Sequence, residues 1–171
     1  MRAEGGFGLT MTCAASVQDG GQGFPGQLGA HDDRHIPGLT RLAGALHAQG
    51  THAVLQLHHA GMRSPSALIG RQPLCPSANA ETNARAMTLA EVEQTRDDFI
   101  AAARRCERAG FDGVQLHGAH GYLLCQFLSP EINQREDQYG GSLENRSRLL
   151  FEIVDGVRAS CGPDFSLGVR L

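Results

Sequence analysis

Four short, nearly continuous apolar runs alternate with three runs of helical period, which predicts an α/β fold in which a parallel sheet is covered by helices. Two architectures satisfy that alternation, a closed (β/α)8 barrel and an open doubly wound sheet. Polar residues at strand ends favour the barrel. Gln56, His117 and Arg170 each fall at the C-terminal end of an apolar run, the rim where barrels of this kind place their chemistry. No G-x-G-x-x-G follows a strand, as a dinucleotide-binding sheet would need. A full barrel takes about 250 residues, whereas this chain has 171. The expectation is a partial (β/α)8 barrel with about four of its eight strands, in one incomplete domain over residues 1–171.

In order along the chain, residues 8–17 mix small, Thr and aliphatic side chains and read as a strand. The Gly, Gln and Pro of residues 19–29 make a loop. Leu39, Leu42, Ala43 and Leu46 recur at helical spacing, and Gly50 closes that run. Residues 53–57 (AVLQL) are the second strand. Gly61, Pro65, Gly70, Pro73 and Pro76 forbid a continuous helix over residues 58–87, so a long loop is expected, and loops of that length usually carry function. Thr88 and Glu91 have capping-box spacing ahead of a helix with Leu89, Val92, Phe99, Ile100 and Ala103 on its apolar face, ending at Gly110. Residues 111–117 form the third strand, followed by a loop rich in Asn, Gly and charge. Ser142 caps a helix carrying Leu149, Leu150, Ile153, Val154 and Val157, which Gly162 and Pro163 stop. Residues 165–171 are the last strand. With strand-like runs so close to both ends, the chain is expected to be a piece of a longer protein.

Composition narrows the function. With 41% hydrophobic and 19% charged residues and a net charge of -3, the chain is an ordinary globular one without the basic surplus of nucleic-acid binders. All 15 positive side chains are Arg, which excludes lysine Schiff-base chemistry and a Walker-type phosphate lysine. Five cysteines without a C-x-x-C pair indicate neither a disulfide framework nor a zinc ribbon, so a cytoplasmic setting is expected. No secretory signal opens the chain, and no window approaches the roughly 20 apolar residues of a membrane span.

The chemistry-bearing residues concentrate in His117-Gly118-Ala119-His120-Gly121-Tyr122, directly after a strand. Two imidazoles and a phenol there can donate hydrogen bonds to one substrate oxygen and deliver a proton beside it. Residue types alone leave two alternatives. The histidines can be metal ligands, with His58 and His59 completing the site of a metal-dependent hydrolase, or these rings can simply pack. A Gln or Arg at a strand end more often anchors a loop than serves a site. Cys13 and Cys125 read as packing residues. Glu144, Arg146 and Arg148 read as loop braces, and Asp32, Asp33, Asp97 and Asp98 as solvated faces.

Residues 117–154 closely resemble the signature region of the old yellow enzyme family of flavin-dependent ene reductases. The match includes FLSP at Phe127 to Pro130, the spacing of Asn133, Arg135 and Asp137, Tyr139-Gly140-Gly141-Ser142, and Glu144-Asn145-Arg146. GFPGQL at 23–28, IPG at 36–38, LQLHHAG at 55–61 and the closing GVRL extend the resemblance over essentially the whole chain. It implies an FMN-carrying barrel in which reduced flavin passes hydride to the β-carbon of an activated alkene. NADH or NADPH is then the reductant and a small α,β-unsaturated molecule the substrate, with no resident metal. It also implies roles: His117 and His120 bind the substrate's carbonyl oxygen, and Tyr122 donates a proton to the α-carbon. Gln56 pairs with the flavin pyrimidine edge, Arg170 lies beside flavin N1 and O2, and Ala14 leaves room for the ring. Against the family pattern the chain begins after the first strand and stops before the phosphate-binding loops, making it a central portion without the C-terminal half. A non-catalytic half barrel that closes its sheet as a homo-oligomer is the competing expectation.

Overall fold

Across the main sheet the strands follow one another in the order of the chain. The computed structural model describes residues 1–171, in which β1 (Leu9–Met11) and β2 (Ala15–Ser16) precede α1 (Ile36–His47) and β3 (His52–His58). Next come α2 (Ser66–Ile69), β4 (Leu74–Cys75), β5 (Arg85–Ala86), α3 (Leu89–Arg108) and β6 (Gly113–His117). The chain then runs through α4 (Leu123–Leu128), α5 (Leu143–Ser160) and β7 (Ser166–Arg170). The sheet is parallel throughout in the order β1-β3-β6-β7, with β2 also paired to β3. A doubly wound sheet needs a point where this order reverses. None occurs. Right-handed crossovers that always step the same way leave every helix on one face, as in a barrel wall.

Side-chain alternation along β3 and β6 separates the two faces. Ala53, Leu55, Leu57, Val114 and Leu116 point to the helices and join a core with Leu39 and Ala43 of α1, Phe99 and Ala103 of α3, and Leu149 and Ile153 of α5. Val54, Gln56 and His58 alternate with them, and by register so do Gly113, Gln115 and His117 and, on β7, Gly168 and Arg170. This second face carries polar groups at its C-terminal end. Gly113, two residues before Gln115, and Gly168, beside Gln115 in register, put no side chain on this face. No helix is long and apolar enough to cross a membrane.

The capping box is formed as the sequence requires. Thr88 Oγ1 accepts from the Glu91 N–H at 3.2 Å, and the Glu91 carboxylate accepts from the Thr88 N–H at 2.9 Å. Ser142 caps α5 by accepting from the Asn145 N–H. Five expectations need correction. The first strand is broken, because Cys13 and Ala14 leave the ladder and Gln27 Nε2 donates to the Ala14 carbonyl at 2.9 Å. Residues 58–87 are not plain loop: they contain α2 and the two-stranded pair β4-β5. Helix α4 stands in the segment read as loop, its Leu123, Leu124, Gln126 and Phe127 all buried. Cys13 is exposed rather than packed, and Asp98 is tied to Gln18 rather than solvated, accepting from its Nε2 at 2.6 Å.

The signature motif that carries the resemblance is mostly architectural. Asn133, 3% exposed, donates from Nδ2 to the carbonyls of Phe127 and Tyr139 and so closes the turn between α4 and α5. Arg135 donates to the carbonyls of Pro76 and Met87 and to Asp137, joining that turn to the segment carrying β4 and β5. A Cβ on Gly140 would overlap the Arg135 carbonyl, so only glycine fits there. Arg146 and Arg148 brace the same turn, donating to the carbonyls of Leu128 and Gln138, as expected.

Candidate active site

Parallel pairing brings together side chains that lie far apart in sequence. His117 on β6 is in register with Arg170 on β7, and Gln56 on β3 with Gln115 on β6, all on the face away from the helices. After β6 the chain turns through His120 and Gly121, both left-handed at φ 58° and 68°. For a non-glycine residue that conformation costs on the order of 1–3 kcal/mol, and it persists only where surrounding contacts hold it. The turn folds the His120 ring back to 5.1 Å from His117 (centroid to centroid) and places Tyr122 edge-on, 5.0 Å from His117 and 4.4 Å from His58. Arg170 Nη2 lies 3.3 Å from His120 Nε2, and the Arg63 guanidinium sits 5.9 Å above the Tyr122 ring.

Hydrogen bonding sets the proton on each imidazole. His117 Nδ1 accepts from the Ala119 N–H at 3.4 Å, which leaves its hydrogen on Nε2. Gln27 Oε1 accepts from the Gly23 N–H, so the Gln27 amide nitrogen must be the group donating to His58 Nδ1 at 2.9 Å. His58 is thereby also an Nε2–H tautomer. Burial, with the neighbouring His120 and Arg170, holds His117 down to about 4, and burial with His117 beside it holds His58 down to about 4. Both are neutral hydrogen-bond donors at physiological pH. Arg170 has only donors, so His120 Nε2 accepts from it.

His59, one residue further on, leaves β3 towards the helices. Its Nδ1 accepts from the Gly61 N–H at 2.9 Å and its Nε2 meets Gln18 Oε1 at 3.0 Å, so neither ring nitrogen is free. The set of His58, His59, His117 and His120 considered as metal ligands is therefore not assembled, because successive side chains of a strand point to opposite faces. No three His, Cys, Asp or Glu side chains come together to hold a metal ion anywhere in the structure. A cavity of about 450 Å³ opens on the helix side, lined by Gln18, His31, Arg71, Gln94 and Asp98, and none of the expected site residues reaches it.

The family model of the NADH:flavin oxidoreductase / NADH oxidase family matches residues 1–171. The chain belongs to this family. Its similarity to a protein of Bacillus subtilis (strain 168) named a probable NADH-dependent flavin oxidoreductase is 45% identity, covering 96% of this chain and 46% of the relative. With an NADH oxidase of Thermoanaerobacter brockii it is 39%, over 99% and 27%. Among solved structures, an old yellow enzyme from a Pichia species superposes with a TM-score of 0.92 at 36% identity, covering 99% of this chain and 48% of that one. A 2-naphthoyl-CoA reductase in complex with 2-naphthoyl-CoA gives 0.94 at 35%, covering 99% and 28%. The chain thus spans about half, or less, of the length of these relatives.

The polar face suits the flavin that this NADH:flavin oxidoreductase family uses. Gln56 Nε2 donates to Gln115 Oε1 at 2.6 Å, and this is the one hydrogen bond either side chain makes. Gln56 Oε1 and Gln115 Nε2 therefore remain as an acceptor and a donor side by side, the complement of an imide edge. Arg170 adds a cation on the neighbouring strand, suited to an anionic ring. Ala14 lies half-buried in the gap between β1 and β2, its carbonyl bound to Gln27. The sequence singled out Gln56, His117, His120, Tyr122 and Arg170, which the structure brings to one face, but missed Gln115. The signal was available, since Gln115 sits two residues before His117 and so shares its face.

Proposed function

We propose that the chain carries the substrate-activating part of an FMN-dependent NAD(P)H oxidoreductase of ene-reductase type. FMN, when bound, supplies hydride taken from NADH or NADPH. His117, through Nε2–H, and His120 donate hydrogen bonds to the carbonyl oxygen of an α,β-unsaturated substrate, where negative charge develops as hydride reaches the β-carbon. Donors already in place for that charge lower the barrier by a few kcal/mol. The Tyr122 hydroxyl gives its proton to the α-carbon and regains one from water, so that one alkene, one NAD(P)H and one proton yield the saturated product and NAD(P)+. Gln56, Gln115 and Arg170 hold the flavin ring. The reading is supported chiefly by the convergence of His117, His120 and Tyr122 on the face that also carries the Gln56-Gln115 pair.

The test is anaerobic mixing of the FMN-loaded protein first with NADPH and then with 2-cyclohexen-1-one. Flavin reduction followed by reoxidation, with cyclohexanone formed one for one, is expected. Tyr122→Phe should slow reoxidation by about a hundredfold or more, within the usual range for general-acid loss, and leave reduction by NADPH alone. Reoxidation by the enone at the unaltered rate in Tyr122→Phe removes the assignment.

A further inference from the structure

The proposed chemistry leaves unused one polar side chain that is wholly buried at the site. Gln126 projects from α4 and is 0% exposed. Its Nε2 donates to the Gly121 carbonyl at 2.8 Å and to the Ala60 carbonyl at 3.3 Å, and its Oε1 accepts from the Met62 N–H at 3.2 Å. All three bonds go to backbone. Ala60 and Met62 belong to the turn that leaves β3 below His58 and His59, and Gly121 to the turn that leaves β6 between His120 and Tyr122. These two strands are neighbours, so a single amide joins their exits. Gly61 lies against it: a Cβ there would overlap the amide, and its φ of 61° excludes a side chain a second time. On the other turn the two left-handed residues His120 and Gly121 need an outside partner to keep their shape. The Gly121 carbonyl finds that partner in Gln126, one turn of α4 away, while the Gln126 N–H bonds the Tyr122 carbonyl at 2.8 Å.

We propose that Gln126 is a positioning residue of the active site: by fixing the Gly121 carbonyl against the turn after β3, it sets where the Tyr122 ring stands relative to His58 and His117. The inference rests on the reading of Tyr122 as proton donor, and its test separates the two. Only two tyrosines occur, Tyr122 and Tyr139. Protein labelled with 3-fluorotyrosine therefore gives two 19F resonances, assigned with Tyr122→Phe and Tyr139→Phe. Tyr139 is buried in the turn before α5 with its hydroxyl donating to Glu152, and it reports whether the fold is intact.

Gln126→Leu removes all three bonds at similar volume. The Tyr122 resonance should shift or broaden while that of Tyr139 stays. Reoxidation of the reduced flavin by enone should fall about tenfold to a hundredfold, the usual cost of ångström-scale misplacement, with reduction by NADPH unchanged. Gln126→Glu adds a pH signature. The protonated acid can donate to Gly121 and accept from Met62, whereas the carboxylate can only accept. Enone reduction by Gln126→Glu should recover as pH falls, which wild type and Gln126→Leu should not show. An unmoved Tyr122 resonance in Gln126→Leu overturns the proposal, as does joint movement of both resonances with equal loss in both half-reactions. Should Tyr122→Phe leave enone reduction unaltered, the proton-donor reading falls, and the Tyr122 resonance in Gln126→Leu still decides whether Gln126 positions the turn.

Discussion

His58 and His59 show how one residue step decides between site and scaffold. Each is buried and neutral, yet His58 faces Tyr122 whereas His59 locks the turn at Gly61 and reaches Gln18. Burial holds His59 down to about 3, and His58 and His117 down to about 4. An unfolded histidine takes its proton near pH 6.5, so between there and about 4 the unfolded chain binds more protons than the folded one. Stability is then greatest above about pH 6.5 and is lost as pH falls through that window. Urea midpoints measured from about pH 7 down to about pH 5 should decline. His59→Gln, which keeps one donor and one acceptor, should flatten the decline, and an equal slope in both proteins would contradict this account. The pairing of imidazoles with a phenol was legible in the sequence at this scale. The tautomers were not, because they depend on Gln27 and on the backbone N–H of Ala119.

Elements with a local start signal were legible, and elements held only by their surroundings were not. The capping box at Thr88 and Glu91 announces α3, and Arg85 strengthens it by donating two bonds to the Glu91 carboxylate, which with Thr88 holds Glu91 down to about 2. Thr88→Ala should cost about 1 kcal/mol of folding free energy, read as a lower urea midpoint at unchanged slope. Helix α4 has no side-chain cap, and its Leu123, Leu124, Gln126 and Phe127 are buried, so the sequence shows no polar face from which to read a period. The strands β4 and β5, at two residues each, are too short to show alternation. Gly140 illustrates the long-range constraint inside a motif recognisable by its letters. Gly140→Ala forces a methyl against the Arg135 carbonyl, and a backbone atom has little room to yield. A loss near the upper end of the roughly 1–3 kcal/mol typical of overpacking is expected, measured by the same denaturation.

For the whole molecule, the proposed flavin binding is the property that would join the strands into one site. FMN at about a hundred times its Kd should stabilise the folded chain by about 2.7 kcal/mol, which for this size raises the midpoint of thermal unfolding by about 5–10 °C. Gln56→Leu and Arg170→Leu should each lose most of that rise while leaving the midpoint without FMN close to its original value. An FMN shift of full size in both variants would place the flavin elsewhere. Residue order alone was enough for the alternation of strands and helices and for the helix caps, which are written in local spacing, and for the family, which is written in the motifs of residues 117–154. Folding decided the rest. That the strand order never reverses and that Gln56 meets Gln115 both depend on pairing between strands about sixty residues apart. Pairing across such distances is settled by burying one face of every strand at once, a condition on the sheet as a whole that no single run of residues states.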